Sequence, residues 1–373
     1  MIRFLDLQRE YRSLQAELEP FVQRVLSSGQ YILGDEVKVF ERRWLKYCGI
    51  RHGLMVASGT DGLTLALEAS GVIRAGAGDE VITAAHGSLY TAQAILRAGA
   101  RPVFADIDPR TWLVTPATLA RVITPRTRAL IPVHLYGLPC DMSGIIKLAR
   151  EHNLVVIEDA CQAHGARLFD GHGWRRAGSF GDAAAFSFYP TKNLGCFGDA
   201  GFVASNDEMW IERARLLAQG GQRERDHAVT PGYNSRGDEL QAAILNCKLA
   251  HLDAWNERRR ALAALYRKRV RLPGLQFQFV PHGCEPVYHL LVLRHPQRDQ
   301  LRAHLRERGI ETLIHYPEAV HRQPAFAVPA QPRLPEAERA VDEVLSLPLQ
   351  PCLTESEVEE VADAVNEFAA VRA

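Results

Sequence analysis

The sequence predicts an α/β fold: a mainly parallel, seven-stranded sheet with helices on both faces, followed by a small C-terminal α+β domain. Seven short apolar runs of strand length carry the first part of this reading: Leu54–Ala57, Val81–Ala84, Pro102–Ala105, Ala129–Val133, Leu154–Ile157, Ala183–Phe186 and Phe202–Ala204. Segments with helical apolar spacing lie between most of them, and two strands pair in parallel only through such a crossover. Toward the C-terminus the alternation stops, and strands and helices come in groups. A chain of 373 residues is also long for one core, so residues 1–250 are read as a large domain and 251–373 as a small one.

Each element has a local reason. Leu14 to Leu26 repeats apolar residues at helical spacing, and Ser27-Ser28-Gly29-Gln30 ends it. In a second helix Val37, Phe40, Trp44 and Cys48 form one apolar face, which core packing explains. Crossover helices are read at Leu63–Ala69, Thr91–Ala98 and Ile145–Glu151. Ala183–Phe186 and Phe202–Ala204 are joined without a helix, so one of the two is expected to run antiparallel. From Asp238 a long helical pattern, Leu240, Ile244, Leu245, Leu249, Leu252 and Trp255, carries the chain toward Tyr266 as a bridge between the domains. Beyond it Leu275–Val280 and Val287–Leu293 read as strands, and Leu301–Arg308, Glu336–Leu345 and Glu355–Phe368 as helices.

Composition excludes several classes. Lys plus Arg and Asp plus Glu both number 44, which argues against nucleic acid or a membrane surface as partner. No apolar stretch reaches membrane-spanning length, and Met1-Ile2-Arg3-Phe4-Leu5-Asp6 carries charges where a signal peptide would be apolar. The seven cysteines are scattered and contain no Cys-x-x-Cys pair, so neither a disulfide framework nor a zinc site is expected. No histidine pair has convincing metal spacing, and the protein is read as metal-free and cytoplasmic.

The most informative stretch is Ser187-Phe188-Tyr189-Pro190-Thr191-Lys192-Asn193-Leu194-Gly195. The small apolar run before it belongs in an interior and delivers Lys192 there. A buried ammonium is costly, and the usual resolutions are a depressed pKa or an imine with a carbonyl cofactor. Lys192 is therefore the candidate covalent anchor; an idle surface lysine is the alternative. Ser58-Gly59-Thr60 follows a strand and opens a helix, where amides and a hydroxyl can hold a phosphate or simply cap the helix. Asp159 ends the strand Val155-Val156-Ile157, at the edge where open α/β sheets bind ligands, with Glu158 beside it.

Taken in order, Ser58-Gly59-Thr60-Asp61, Ile157-Glu158-Asp159-Ala160-Cys161-Gln162-Ala163-His164-Gly165, the Lys192 stretch and Gly232-Tyr233-Asn234-Ser235-Arg236 resemble the DegT/DnrJ/StrS family of sugar aminotransferases. The resemblance runs from Gly34-Asp35-Glu36-Val37 to His315-Tyr316-Pro317. It implies fold type I and pyridoxal 5′-phosphate (PLP) on Lys192. Asp159 is then the partner of the pyridinium nitrogen, Gln162 a cofactor contact, and Gly59, Thr60 and Ser187 phosphate ligands. Asn234 would reach the phosphate of a neighbouring subunit, which implies a homodimer with shared sites.

On the substrate side the resemblance points to His86, Tyr90, His164, Tyr189, Tyr316 and His321; structural roles are as ordinary for the histidines. Ser88 stands where the family commonly stacks an aromatic ring on the cofactor, leaving His86 or Tyr90 to replace it. The loop Gly220-Gly221-Gln222-Arg223-Glu224 departs from the family's nucleotide-contacting pattern, and Ala319 stands where proline is common. The implied reaction moves an amino group from L-glutamate to a nucleotide-linked keto-sugar, with C-3 of a 6-deoxy-keto-hexose as the nearest match in wording. A cyclitol-ketone aminotransferase and a non-catalytic regulatory relative are the alternatives.

Overall fold

The computed structural model describes residues 1–74, 76–327 and 333–370. Its central sheet has seven strands: β1 His52–Val56, β2 Glu80–Ala84, β3 Arg101–Ala105, β4 Thr127–Ile131, β5 Val155–Asp159, β6 Ala183–Ser187 and β7 Gly201–Ser205, in spatial order β1-β7-β6-β5-β4-β2-β3. Strand β7 runs antiparallel to both of its neighbours, and the remaining pairings are parallel. The expected antiparallel member of the helix-free pair is thus β7.

Burial on both faces explains the apolar runs. Ala183 and Ala185 of β6 face one core with Val56, Leu63 and Ile157, while Ala184 and Phe186 face another with Phe40 and Trp44. Small residues on β6 and the glycine of the helix Gly59–Ser70 let the two lie close: a Cβ on Gly62 would sit 3.2 Å from Ala185 Cβ. Three further strands, Gln276–Phe277, Leu291–Arg294 and Val344–Leu347, form an antiparallel sheet around a third core that includes Tyr266, Leu301, Val361 and also Ile2.

Three expectations need correction here. The long helix from Asp238 is two helices, Glu239–Lys248 and Leu252–Arg269, joined by a single tighter turn at Leu249–His251. The strands expected at Leu275–Val280 and Val287–Leu293 shrink to Gln276–Phe277 and Leu291–Arg294. The helix expected over Glu336–Leu345 stops at Glu343, and Val344–Leu347 becomes a fully buried strand paired with Leu291–Arg294. Ala337, Ala340, Val341 and Val344 keep helical spacing, so the periodicity carries past the point where pairing with a neighbouring strand takes over. No described helix is long and apolar enough to cross a membrane.

Candidate active site

The carboxyl ends of the parallel strands open into a cavity of about 920 Å³, lined by Gly59, Thr60, Asp159, Gln162, Ser187 and Lys192 among others. That edge is where dipoles and loop ends converge in sheets of this kind. Six of the predicted cofactor positions thus share one space with Tyr90, Tyr189 and Tyr316.

Strand β5 decides between its two terminal acids. Neighbouring residues on a strand point to opposite faces. Glu158 is fully buried, and its carboxylate accepts from His134 Nε2 at 2.8 Å and from the amides of Gly178, Phe180 and Gly181 at 2.7, 2.6 and 2.7 Å. It pins a loop and is unavailable to a ligand. Asp159 faces the cavity; its Oδ2 accepts from Thr91 Oγ1 at 2.7 Å and its Oδ1 from the Cys161 amide at 3.2 Å. Glu158→Ala would strand the buried His134 ring N–H and the amides of Gly178, Phe180 and Gly181, and about 3–5 kcal/mol of stability should be lost. Denaturant titration of the purified variant checks this; an unchanged midpoint would mean the loop does not depend on the carboxylate.

Lys192 sits on the turn after β6, where its amide donates to the Tyr189 carbonyl at 2.9 Å. Among the described residues its Nζ has no hydrogen bond or carboxylate partner within ion-pair distance. Loss of hydration pushes the ammonium below the ordinary lysine range, while Cys161 and Asp159 pull it back up. The next residue, Asn193, is clamped: its Nδ2 donates to Asn256 Oδ1 at 2.8 Å and to the Val287 carbonyl at 2.9 Å, and its Oδ1 lies 3.2 Å from His289 Nδ1. Asn256 also donates to the His164 carbonyl at 2.8 Å. One buried amide on the helix Leu252–Arg269 therefore ties the Lys192 turn to the loop that follows Asp159.

Gln162 is held from both sides, its Oε1 accepting from the Tyr136 amide at 2.7 Å and its Nε2 donating to Tyr316 Oη at 2.9 Å. Burial raises the Tyr316 phenol to about 12, so it stays protonated. At the other end, Ser58 caps the helix Gly59–Ser70 by accepting from the Asp61 amide at 3.1 Å. The capping alternative is thus true of Ser58, while the Gly59 and Thr60 amides remain free among the described residues. Glycine is required at 59: a Cβ there would meet Ser187 Cβ at 2.7 Å and Cys161 Sγ at 2.8 Å.

Four predicted residues do not line this cavity. His86 is sealed inside, its Nε2 2.7 Å from Tyr136 Oη, and burial lowers it to about 3, so it is not a free stacking ring; Ser88 and Tyr90 are the cavity-lining residues of that loop. His164 lies among Trp44, Phe186 and Phe188, and burial lowers it likewise to about 3. His321 is buried with its Nε2 3.2 Å from Glu338 Oε1. Asn234 is exposed in a separate depression of about 490 Å³ beside Gln219, Arg223 and Arg236. Reading by residue type missed Thr91, which starts a segment visible only as a helix, because spacing does not say that its hydroxyl meets Asp159.

The residues suit PLP on their own geometry. Free helix-end amides with the Thr60 and Ser187 hydroxyls provide donors for a phosphate, Asp159 a carboxylate for a cationic ring nitrogen, and Lys192 an unpaired amine.

Comparison with known proteins gives the family. The chain is 46% identical over 371 residues to the dTDP-3-amino-3,4,6-trideoxy-α-D-glucose transaminase of Streptomyces venezuelae, covering 99% of this chain and 96% of that one. It is 42% identical over 372 residues to the pleiotropic regulatory protein of Geobacillus stearothermophilus, with 98% of each covered. The crystal structure of S. venezuelae DesV in complex with a ketimine intermediate superposes with a TM-score of 0.94 at 46% identity, covering 99% of this chain and 98% of that one. Residues 12–366 match the family model, and the chain belongs to the DegT/DnrJ/EryC1/StrS aminotransferase family.

Proposed function

We propose that this PLP-dependent aminotransferase moves the amino group of L-glutamate to C-3 of a nucleotide-linked 6-deoxy-keto-hexose. The observation that carries the proposal is the unpaired Lys192 amine sharing one cavity with the Thr91-supported carboxylate of Asp159. The C-3 position rests on the activity named for the S. venezuelae relative, a dTDP-3-amino-3,4,6-trideoxy-α-D-glucose transaminase. When bound, PLP supplies a carbonyl that takes up the amino group and a ring that stabilises negative charge on the carbon losing its proton.

The chain supplies the rest. Lys192 Nζ would hold the cofactor's carbonyl carbon and, once freed, would move a proton at the substrate carbon; its lowered proton affinity favours the neutral amine that this role needs. Asp159 would keep a proton on the ring nitrogen, with the Thr91 hydroxyl fixing the carboxylate's orientation. Gly59, Thr60 and Ser187 would bind the phosphate, and Gln162, which donates to Tyr316, lines the same cavity. Tyr90 and Tyr189 lie at the open side, exposed enough to meet the acceptor sugar. The seven free cysteines suit a reducing compartment such as the cytoplasm.

A direct test is addition of L-glutamate to the coloured holoenzyme. Loss of the visible band with one 2-oxoglutarate released per site is expected. An unchanged spectrum favours the regulatory reading, and turnover with a cyclitol ketone but no keto-sugar nucleotide favours the cyclitol reading.

Asn234, exposed outside its own chain's cavity, is assigned to the site of a second copy. In a two-fold dimer each subunit gives what it receives. Lys192→Ala and Asn234→Asp homodimers should each be nearly inactive. Mixing them yields heterodimers with one intact site, and about a quarter of wild-type activity should return, since about half the molecules are mixed. No recovery in verified heterodimers would place Asn234 within its own chain's chemistry.

A further inference from the structure

A second cavity, of about 640 Å³, lies beside the first and is lined by Thr191, the residue before Lys192, and by Arg259, Arg302 and Arg306. Its walls are largely apolar, with Phe4, Leu290 and Leu347 among them. The one acid on its lining, Glu311, already accepts from the Phe4 amide at 3.1 Å through Oε2.

Arg259 is the notable member. It is 4% exposed, and its Nη1 donates to the carbonyls of Tyr288 at 3.2 Å and Leu349 at 2.9 Å. Among the described residues its Nε and Nη2 take no hydrogen bond, and it has no carboxylate in ion-pair range. Glu10, whose charge reaches it, is committed to Lys248 at 2.6 Å. Burial pushes the guanidinium down to about 10, so it is still charged at neutral pH. A buried cation without a counter-ion is among the least favourable things a fold can hold. The unused Nε–Nη2 edge is also the side-on fork that matches the two oxygens of a carboxylate. Arg302 and Arg306 stand one turn apart on the helix Arg298–Glu307, exposed and without ion-pair partners among the described residues.

We propose that this cavity is a carboxylate-binding site, with Arg259 taking the carboxylate side-on and Arg302 and Arg306 drawing the anion in. A flexible dicarboxylate with an apolar middle matches the arrangement: one charged end at the enclosed guanidinium, the hydrocarbon against Leu290 and Leu347, the other end toward the exposed pair. Such a ligand has two sources, the carboxylates of the amino donor, which rests on the aminotransferase reading, or a separate dicarboxylate effector, which does not.

Glutarate is the probe, because it has neither an amine to donate nor a ketone to accept one. Calorimetric titration of the holoenzyme should show one glutarate per chain, weakened at least tenfold in Arg259→Gln and severalfold in the Arg302→Gln/Arg306→Gln double variant. The double variant changes exposed residues, so it decides the matter if Arg259→Gln fails to fold. No binding, or equal binding in wild type and double variant, overturns the site. In steady-state kinetics, competition of glutarate with L-glutamate that disappears in the double variant identifies the amino donor as source. Binding without competition identifies an effector. A holoenzyme that does not bleach with L-glutamate yet binds glutarate through these arginines would defeat the transfer reading and leave this site standing.

Discussion

Replacing Lys192 by alanine is expected to remove the visible band of the holoenzyme and to lower turnover by at least four decades. The size follows from one side chain holding two duties, tether and proton carrier. Loss of general acid–base transfer alone typically costs 10²–10⁴-fold, and loss of the covalent step adds to it. The proposed phosphate ligands Gly59, Thr60 and Ser187 and the carboxylate of Asp159 are untouched by the change, so cofactor should still bind. A readout apart from activity is available. Borohydride treatment of wild type should fix the cofactor to the peptide containing Lys192, and the variant should carry no label. Retained colour and rate, or label on another peptide, would remove Lys192 from the mechanism.

Asp159→Asn is the second large effect, expected at two or more decades in the single-turnover rate with L-glutamate. The charge-assisted contact it removes is worth about 1.5–3 kcal/mol, and more where the site is dry, at about 1.4 kcal/mol per decade. An amide keeps the shape and can still accept from Thr91, so folding and cofactor affinity should change little. Thr91→Val, which removes that donor, should act in the same direction but less. A fall of under tenfold in Asp159→Asn would mean the ring nitrogen does not depend on this carboxylate.

The sheet was legible because strands buried on both faces leave unbroken apolar runs, as in Ala183–Phe186. The C-terminal segment was less so. Gln276–Phe277 is two residues long and half outside the core, and Val344–Leu347 continues the helical spacing of the segment before it. In the site, residue type and place made Lys192 and Asp159 candidates, and the family resemblance chose them over an idle lysine and over Glu158. Alternation along β5 puts Asp159 on the side of Ile157 and Glu158 on the other, yet which side faces a ligand depends on what lies over the sheet. His86, His164 and His321 show the same limit, since each is turned inward by packing that no local pattern records. The Asn193 clamp joins residues 63 and 96 positions apart, and Arg259 is distinguished by what it lacks, so neither has a sequence signal.

The central claim, that this cavity carries nitrogen from an amino acid to a sugar, is tested most directly by following the atom. Holoenzyme is mixed with [¹⁵N]-L-glutamate and a dTDP-linked 3-keto-6-deoxy-hexose, and the sugar product is examined by mass spectrometry and NMR. The label should appear on C-3 of the sugar, matched one-to-one by 2-oxoglutarate, and should be absent with Lys192→Ala. 2-Oxoglutarate formed in step with added keto-sugar while no sugar carries the label would contradict the account.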